Sequence, residues 1–332
     1  MKKWMKGIAI TGITSAVLLA GCGGKSEEKT QEASDTKEKA YQIGVTQIVE
    51  HPSLDNAYKG FKKALDDAGI KAEYDVQIAQ GDQNNNQTIA NNFAGDKVDL
   101  IFANSTPSAT AALNATKDIP IVFTSVTDAK AAGLVKDTDK PGGNITGTTD
   151  LHPEAISKTI EFMAKEFDGK RVGVIYNAGE QNSVAQIAEV KKVMDKNGLK
   201  MVEATVSASS EVKQAAESLV GKADMMYIIT DNTVVSALES VIQVANQQDI
   251  PLFVGELDSV KRGGFAAFGF EYYDIGYEAG EMAVKILKDG AKPADMAVQP
   301  PQNLKLLINE KAAKEMNIKV KDEWKDQAEF VK

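Results

Sequence analysis

Residues 42–68, QIGVTQIVEHPSLDNAYKGFKKALDDA, hold the pattern from which the fold follows. Gln42-Ile43-Gly44-Val45-Thr46 is a short, largely apolar run. After a break at His51-Pro52, residues Leu54, Ala57, Tyr58, Phe61, Leu65 and Ala68 recur at helical spacing, with Ser53 placed to cap them. One strand followed at once by one amphipathic helix is a βα unit. Outward from it the rhythm continues, with strand-like runs at 74–79, 100–103 and 119–123. It restarts after residue 150, with strands expected at 171–176, 200–206, 225–230 and 251–255, and helices at 153–167, 183–197, 211–220 and 233–247. The runs are continuous rather than alternating, which predicts parallel sheets covered on both faces by helices. Two series of similar size predict an α/β protein of two similar lobes.

The glycine-rich stretch 141–147 is followed by a strand-like piece, 145–149, and not by a helix. It therefore reads as a connector between lobes and not as a phosphate loop. A further strand at 265–270, a helix at 272–289 and a last strand at 304–308 imply that the chain crosses between lobes more than once after residue 255. The expected division is residues 41–147 with 272–295 in lobe 1, and 148–271 with 296–332 in lobe 2, joined by a multi-strand hinge.

The N-terminus has a different character. Lys2, Lys3 and Lys6 precede an uncharged run over 7–20, shorter than the roughly 20 apolar residues a membrane-spanning helix needs. This is the form of a secretory signal, residues 1–21. It ends in Leu19-Ala20-Gly21-Cys22, which resembles a bacterial lipobox, so Cys22 is the expected lipidation site. Cys22 is the single cysteine; once acylated it leaves no thiol for a disulfide, a nucleophile or a metal. Residues 22–40 are charged, with no aliphatic side chain larger than alanine, and read as a disordered tether. Without the three signal lysines, 35 basic residues face 47 acidic ones, a formal charge of −12. That balance opposes nucleic-acid binding and electrostatic adhesion to anionic lipid, leaving the lipid anchor as the membrane attachment.

In parallel sheets ligands bind beyond the carboxyl ends of the strands. Here those ends are polar: Gln47; Asn104-Ser105-Thr106-Pro107; Thr124-Ser125 with Asp128; Asn177; Asp231-Asn232; and Glu256. Ser105 and Thr106 open a helix and are placed to receive an anion there, although the same residues equally serve as plain caps. Asp231 divides the same way between cap and ligand carboxylate, and Asp128 between ligand contact and strand terminator. Taken together, an anion site on one lobe and carboxylates on the other suit a zwitterionic amino acid, with Thr124 and Asn177 fixing its orientation. Tyr58, Tyr176, Phe123 and Phe270 are available to wall an apolar side chain, and each also fits ordinary core packing. The only two histidines, His51 and His152, each precede a proline. No Gly-x-Ser-x-Gly elbow, Walker loop or His/Cys metal spacing occurs. Nothing marks catalysis, and no cofactor or metal is implied.

Several of these runs also resemble a family. The run from Ile43 to Asp55, IGVTQIVEHPSLD, is similar to the opening of ABC-transporter substrate-binding proteins of the tryptophan-binding (TrpX-like) type. Similar too are PIVFTSVTD at 120–128, VIYN at 174–177 with Asn182-Ser183, and GFEYY at 269–273, in order along the mature chain. The resemblance implies a type I periplasmic-binding-protein fold whose lobes close on a hydrophobic, expectedly aromatic, amino acid (Trp, Phe or Tyr). It implies service to an ABC permease; with the anchor expected at Cys22, the protein is expected at the extracytoplasmic face of a bacterial membrane, as a monomer. Its site positions fall on Ser105, Thr106, Thr124, Asp128, Asn177, Asp231, Asn232 and Glu256. A branched-chain amino acid, a sugar or a nucleoside on the same fold stays open as an alternative, as does a lipoprotein enzyme or scaffold. The anchor is tested by Cys22→Ala, which should abolish lipid labelling and release the protein from the membrane; a variant still labelled with palmitate refutes the lipobox.

Overall fold

The computed structural model describes residues 40–332; the signal peptide, Cys22 and all but the last residue of the tether lie outside the described residues. The first series runs β1 Tyr41–Gln47, α1 Pro52–Asp67, β2 Ala72–Ile78, α2 Gln83–Asp96, β3 Leu100–Asn104, α3 Thr106–Ala115, β4 Ile121–Val126 and β5 Ile145–Thr149. Its five strands form one parallel sheet, ordered β2-β1-β3-β4-β5. Every residue of β3 and β4 is buried, as expected of central strands covered on both faces, whereas the edge strand β2 is largely exposed.

The second series runs α4 Ala155–Glu166, β6 Arg171–Asn177, α5 Gln181–Lys196, β7 Lys200–Val206, α6 Val212–Leu219, β8 Met225–Ile228, α7 Asn232–Ser236, α8 Leu238–Gln247, β9 Leu252–Val254, α9 Leu257–Arg262 and β10 Ala266–Gly269. After α10 Tyr272–Asp289 come β11 Lys305–Asn309, α11 Glu310–Glu315 and β12 Ala328–Val331. The seven strands order as β12-β11-β10-β9-β8-β6-β7. Trp324 is buried in this sheet's core against Phe162, Phe167 and Phe265. Among the described residues no helix is long and apolar enough to cross a membrane.

Three local features differ from the sequence expectation. Ser53 is not the cap of α1; His51 is, its ring nitrogen accepting from the Leu54 N–H, with Pro52 at the first helical position. The helix expected over 233–247 is broken at Ala237 into α7 and α8. There the Ser236 hydroxyl donates to the Thr233 carbonyl at 2.8 Å, and the Ala237 N–H turns back to Val234, so the α ladder is interrupted after a β-branched run. The second sheet is not wholly parallel, since β11 returns antiparallel to β10.

The helix α10 follows a strand of the second sheet, yet its apolar side (Ala279, Met282, Ala283) packs on the first sheet with Phe61 and Leu65 of α1. Glycines permit this close approach. A Cβ at Gly276 would lie 1.9 Å from the Ala57 carbonyl oxygen, and one at Gly60 would lie 2.1 Å from that of Tyr273. The obstacle in each case is backbone, which a side-chain shift does not relieve. Gly276→Ala should therefore cost about 1–3 kcal/mol or more, read as a lowered urea midpoint at unchanged slope; an unchanged midpoint would contradict the tight α1–α10 seam.

Candidate functional site

The carboxyl ends of the two sheets face each other across a narrow cavity. The first sheet contributes His51 and Leu54 from the start of α1 and Ser125 from the end of β4. The second contributes Asn182 at the start of α5, Thr230, Asn232 and Val235 around the start of α7, and Glu256 ahead of α9. The crossovers supply Asp150, directly after β5, and Tyr272, at the start of α10. None of these lining residues is Lys or Arg. Two hydrogen bonds span the cleft away from the cavity wall: Asn56 Nδ2 donates to Asp258 at 3.1 Å, and Gln186 Nε2 donates to Thr127 at 3.1 Å. Gln186 also donates to Thr230.

The carboxyl groups dominate the electrostatics. Asp150 accepts from Tyr272 Oη at 2.7 Å and from Thr127 Oγ1 at 3.1 Å, and burial raises its pKa to about 6 despite both bonds. Glu256 caps α9, accepting from the Asp258 N–H at 2.6 Å, the Ser259 N–H at 2.9 Å and the Ser259 hydroxyl. Burial first, then the charge of Asp258, pushes it up to about 7. His51 is held down to about 3 by burial and by Arg262, so it is neutral. Its Nδ1 accepts from Leu54, at 3.5 Å, which leaves the ring proton on Nε2.

Of the positions expected from sequence, Asn232 and Glu256 line this cavity. Asp231, one residue away, does not. It is fully buried as the cap of α7, accepting from Val234 N–H at 2.8 Å, Asn177 N–H at 2.7 Å and Ser183 Oγ at 2.6 Å. Burial and then the charge of Glu180 raise it to about 7. Asn177 is committed to Asp231, to Thr233 and to the Gly179 N–H. Ser105 caps α3 through the Ser108 N–H, with an unusual positive φ of 125°, and Thr106 accepts from the Thr127 N–H, so both serve the scaffold. Thr124 shares a 2.8 Å hydrogen bond with Thr148, which donates to the Ile275 carbonyl and ties β4 and β5 to α10. Gln47 accepts from Asn104, whose amide also donates to Leu54 O and accepts from Ser125 Oγ at 2.8 Å. This buried network stands behind the cavity wall. Asp128 is exposed and caps a turn through Lys130 and Ala131 N–H. Among the aromatic candidates, Phe270 stacks on the cavity-lining Tyr272, whereas Tyr58 and Phe123 are taken up by the first sheet's core.

The strand-end reading takes the strands of the two series and leaves out the strand-like piece at 145–149 beside the glycine-rich connector, yet Asp150 follows β5 much as Glu256 follows β9. Asn182 sits beyond the reach of that rule, inside the first turn of α5. Its one sequence signal is its place beside Ser183 in the family-like run.

Two α/β lobes that enclose a polar cavity between their strand ends define a binding protein for a small solute. The chain belongs to the family of ABC transporter substrate binding proteins, whose profile matches residues 42–332. The fold is that of type I periplasmic binding proteins. Over 319 residues the chain is 44% identical to the tyrosine-binding protein of Clostridioides difficile strain R20291, spanning 94% of this chain and 91% of that one. The structure of an ABC domain in complex with L-Trp from Streptococcus pneumonia superposes with a TM-score of 0.83 at 32% identity, covering 89% of this chain and 100% of that one. The ligand-free, open structure of a substrate binding protein with adhesive properties from Clostridium difficile superposes at 0.65 despite 43% identity, covering 88% and 99%.

The bonding of Asp231 gives a direct expectation. Asp231→Ala removes a cap and strands the Asn177 N–H, and should cost about 1–3 kcal/mol in a denaturant titration. Ligand affinity should change less than that loss. A variant of normal stability that no longer binds would assign Asp231 to the ligand instead.

Proposed function

We propose that this protein is the extracytoplasmic, lipid-anchored receptor of an ABC importer, and that it binds one aromatic L-amino acid in the cavity between its lobes without altering it. The observation that carries the reading is the cavity itself: enclosed between two sheets, rich in carboxyl groups, free of lysine and arginine, and walled by Leu54, Val235 and Tyr272. Such a wall calls for a ligand that brings its own cation together with apolar surface. The tyrosine-binding relative and the L-Trp complex support the aromatic class.

The ammonium faces Asp150 and Glu256, the two carboxylates on the wall. The carboxylate end is received by the Nε2–H of neutral His51 at the start of α1, and Ser105 and Thr106 act as caps. Lobes 41–147 with 272–295, and 148–271 with 296–332, close about the segments carrying Asp150 and Tyr272. The better match to the L-Trp complex than to the more identical open relative supports assigning this conformation to the closed state. The protein works as a monomer and delivers its ligand to a permease.

Calorimetry against the twenty amino acids should single out Tyr, Trp or Phe, with binding weakening as the pH falls. Glu256 and Asp150, with pKa values of about 7 and 6, must give up protons to pair with an ammonium. Affinity should therefore rise through pH 5 to 7 by at most roughly tenfold per pH unit for each proton released, and level off above. A sugar or nucleoside as the one ligand, or an affinity flat across that range, would overturn the assignment.

A further inference from the structure

Glu180 takes no place on the inner cavity wall, yet it determines what two wall residues present. It is only 4% exposed, immediately before α5. Its Oε1 accepts from Thr233 N–H at 3.1 Å and Thr233 Oγ1 at 2.7 Å, and its Oε2 accepts from Asn232 N–H at 3.3 Å. The same Oε2 accepts from the side-chain amide nitrogens of Asn232, at 2.6 Å, and Asn182, at 3.2 Å.

An asparagine amide offers a donor at one end and an acceptor at the other, and its surroundings choose which end faces where. For Asn182 the choice is fixed twice. A carboxylate accepts only, so the nitrogen must turn toward Glu180. The Ser183 hydroxyl spends its single hydrogen on Asp231, at 2.6 Å, so its oxygen accepts from Asn182 Nδ2, at 3.2 Å. The Asn182 carbonyl oxygen is then left with no partner among the described residues, on a side chain 2% exposed that lines the inner cavity. A buried acceptor without a donor is costly, and the cost is removed when a ligand N–H arrives. Asn232, turned by the same carboxylate, lines that cavity as well.

We infer that the amide oxygens of Asn182 and Asn232 accept hydrogen bonds from the ligand's α-ammonium, and that Glu180 is the positioning residue that sets their polarity. The inference rests on the amino-acid reading of the cavity. An ammonium carries three N–H donors, so two amide oxygens and one wall carboxylate satisfy it completely. The arrangement makes Asn182 a determinant of specificity for amino acids over the corresponding desamino acids.

The test pairs truncation of the residue with truncation of the ligand. Binding of L-tyrosine and of 3-(4-hydroxyphenyl)propionic acid, which lacks the ammonium, is measured by calorimetry on wild type, Asn182→Ala and Glu180→Gln. Asn182→Ala should weaken L-tyrosine roughly 10- to 100-fold and leave the desamino acid within about threefold. In Glu180→Gln the new amide keeps its oxygen for Thr233 and turns its NH₂ toward the two asparagines. The Asn232 amide then reverses, whereas Asn182 is still held by Ser183 Oγ and the Asn232 N–H loses its acceptor; the preference for L-tyrosine over the desamino acid falls, and the melting temperature drops modestly while the protein still folds. If Asn182→Ala does not fold, Glu180→Gln decides by that preference alone. Equal weakening of both ligands, or no change in either, overturns the inference and makes the pair scaffold. A wild-type protein that binds no aromatic amino acid is a different result: it removes the proposed function and this inference with it.

Discussion

Burying a carboxylate is the constraint around which the cleft is arranged. Moving such a group out of water costs several kcal/mol unless charge or hydrogen bonds offset it. Asp150, Asp231 and Glu256 are all buried here, and no cation lines the cavity they surround or adjoin. The fold offsets Asp150 with the hydroxyls of Tyr272 and Thr127, and Asp231 and Glu256 largely with backbone N–H groups. The βα junctions bring helix starts to the strand ends, with no more than two residues between them at β3–α3, β9–α9 and β10–α10, and the first turn of a helix has N–H groups with no partner of their own. Asp231 and Glu256 take up those groups at α7 and α9. The compensation is incomplete, as their raised pKa values record.

The same topology explains why these groups meet. Parallel strands send all their carboxyl ends one way, and two such sheets facing each other bring twice as many junctions to one cleft. The helix α10 then holds the assembly together, because it leaves the second sheet and packs on the first through glycines too close for any side chain. Asp150 and Tyr272 sit on the segments that join the sheets, and their 2.7 Å hydrogen bond links one crossover to another at the cavity wall. Cavity wall and connecting segments therefore share residues.

Much of this was legible in the sequence, and its limits have physical causes. The βα rhythm gave both sheets, because burial on two faces forces continuous apolar strands; β5 and β7 fall where the runs placed them. The antiparallel return of β11 left no such trace, since an apolar strand reads the same in either direction. The strand-end rule found Asn232 and Glu256 on the wall. It named Asp231, Ser105 and Thr106 as well, because a capping side chain and a ligand-binding one have the same chemistry at the same position. Which of them faces inward depends on one residue of rotation at a helix start, and periodicity carries no such detail. Asn182 was beyond the rule altogether: its orientation depends on Glu180 and Ser183, and only the folded chain shows that the hydrogen of Ser183 is already spent on Asp231.

That detail bears on how a receptor avoids a conflict between holding and releasing. A carboxylate placed bare against the ligand's ammonium binds strongly, but between ligands it leaves a buried charge that must be protonated or hydrated. An amide oxygen is a neutral acceptor, so its exposure between ligands costs much less. Backing two amides with one carboxylate, as Glu180 backs Asn182 and Asn232, lets negative charge polarise the contact while the charge itself stays bonded to N–H and O–H groups. The proposed contact then needs a carboxylate only at Asp150 or Glu256, each already hydrogen-bonded within the protein. These are the groups whose pKa values lie near neutrality and which are able to take a proton when the ligand leaves. Division of the ammonium between neutral amides and a protonatable acid is thus a physical route to a site that is selective for the charged ligand and still stable without it.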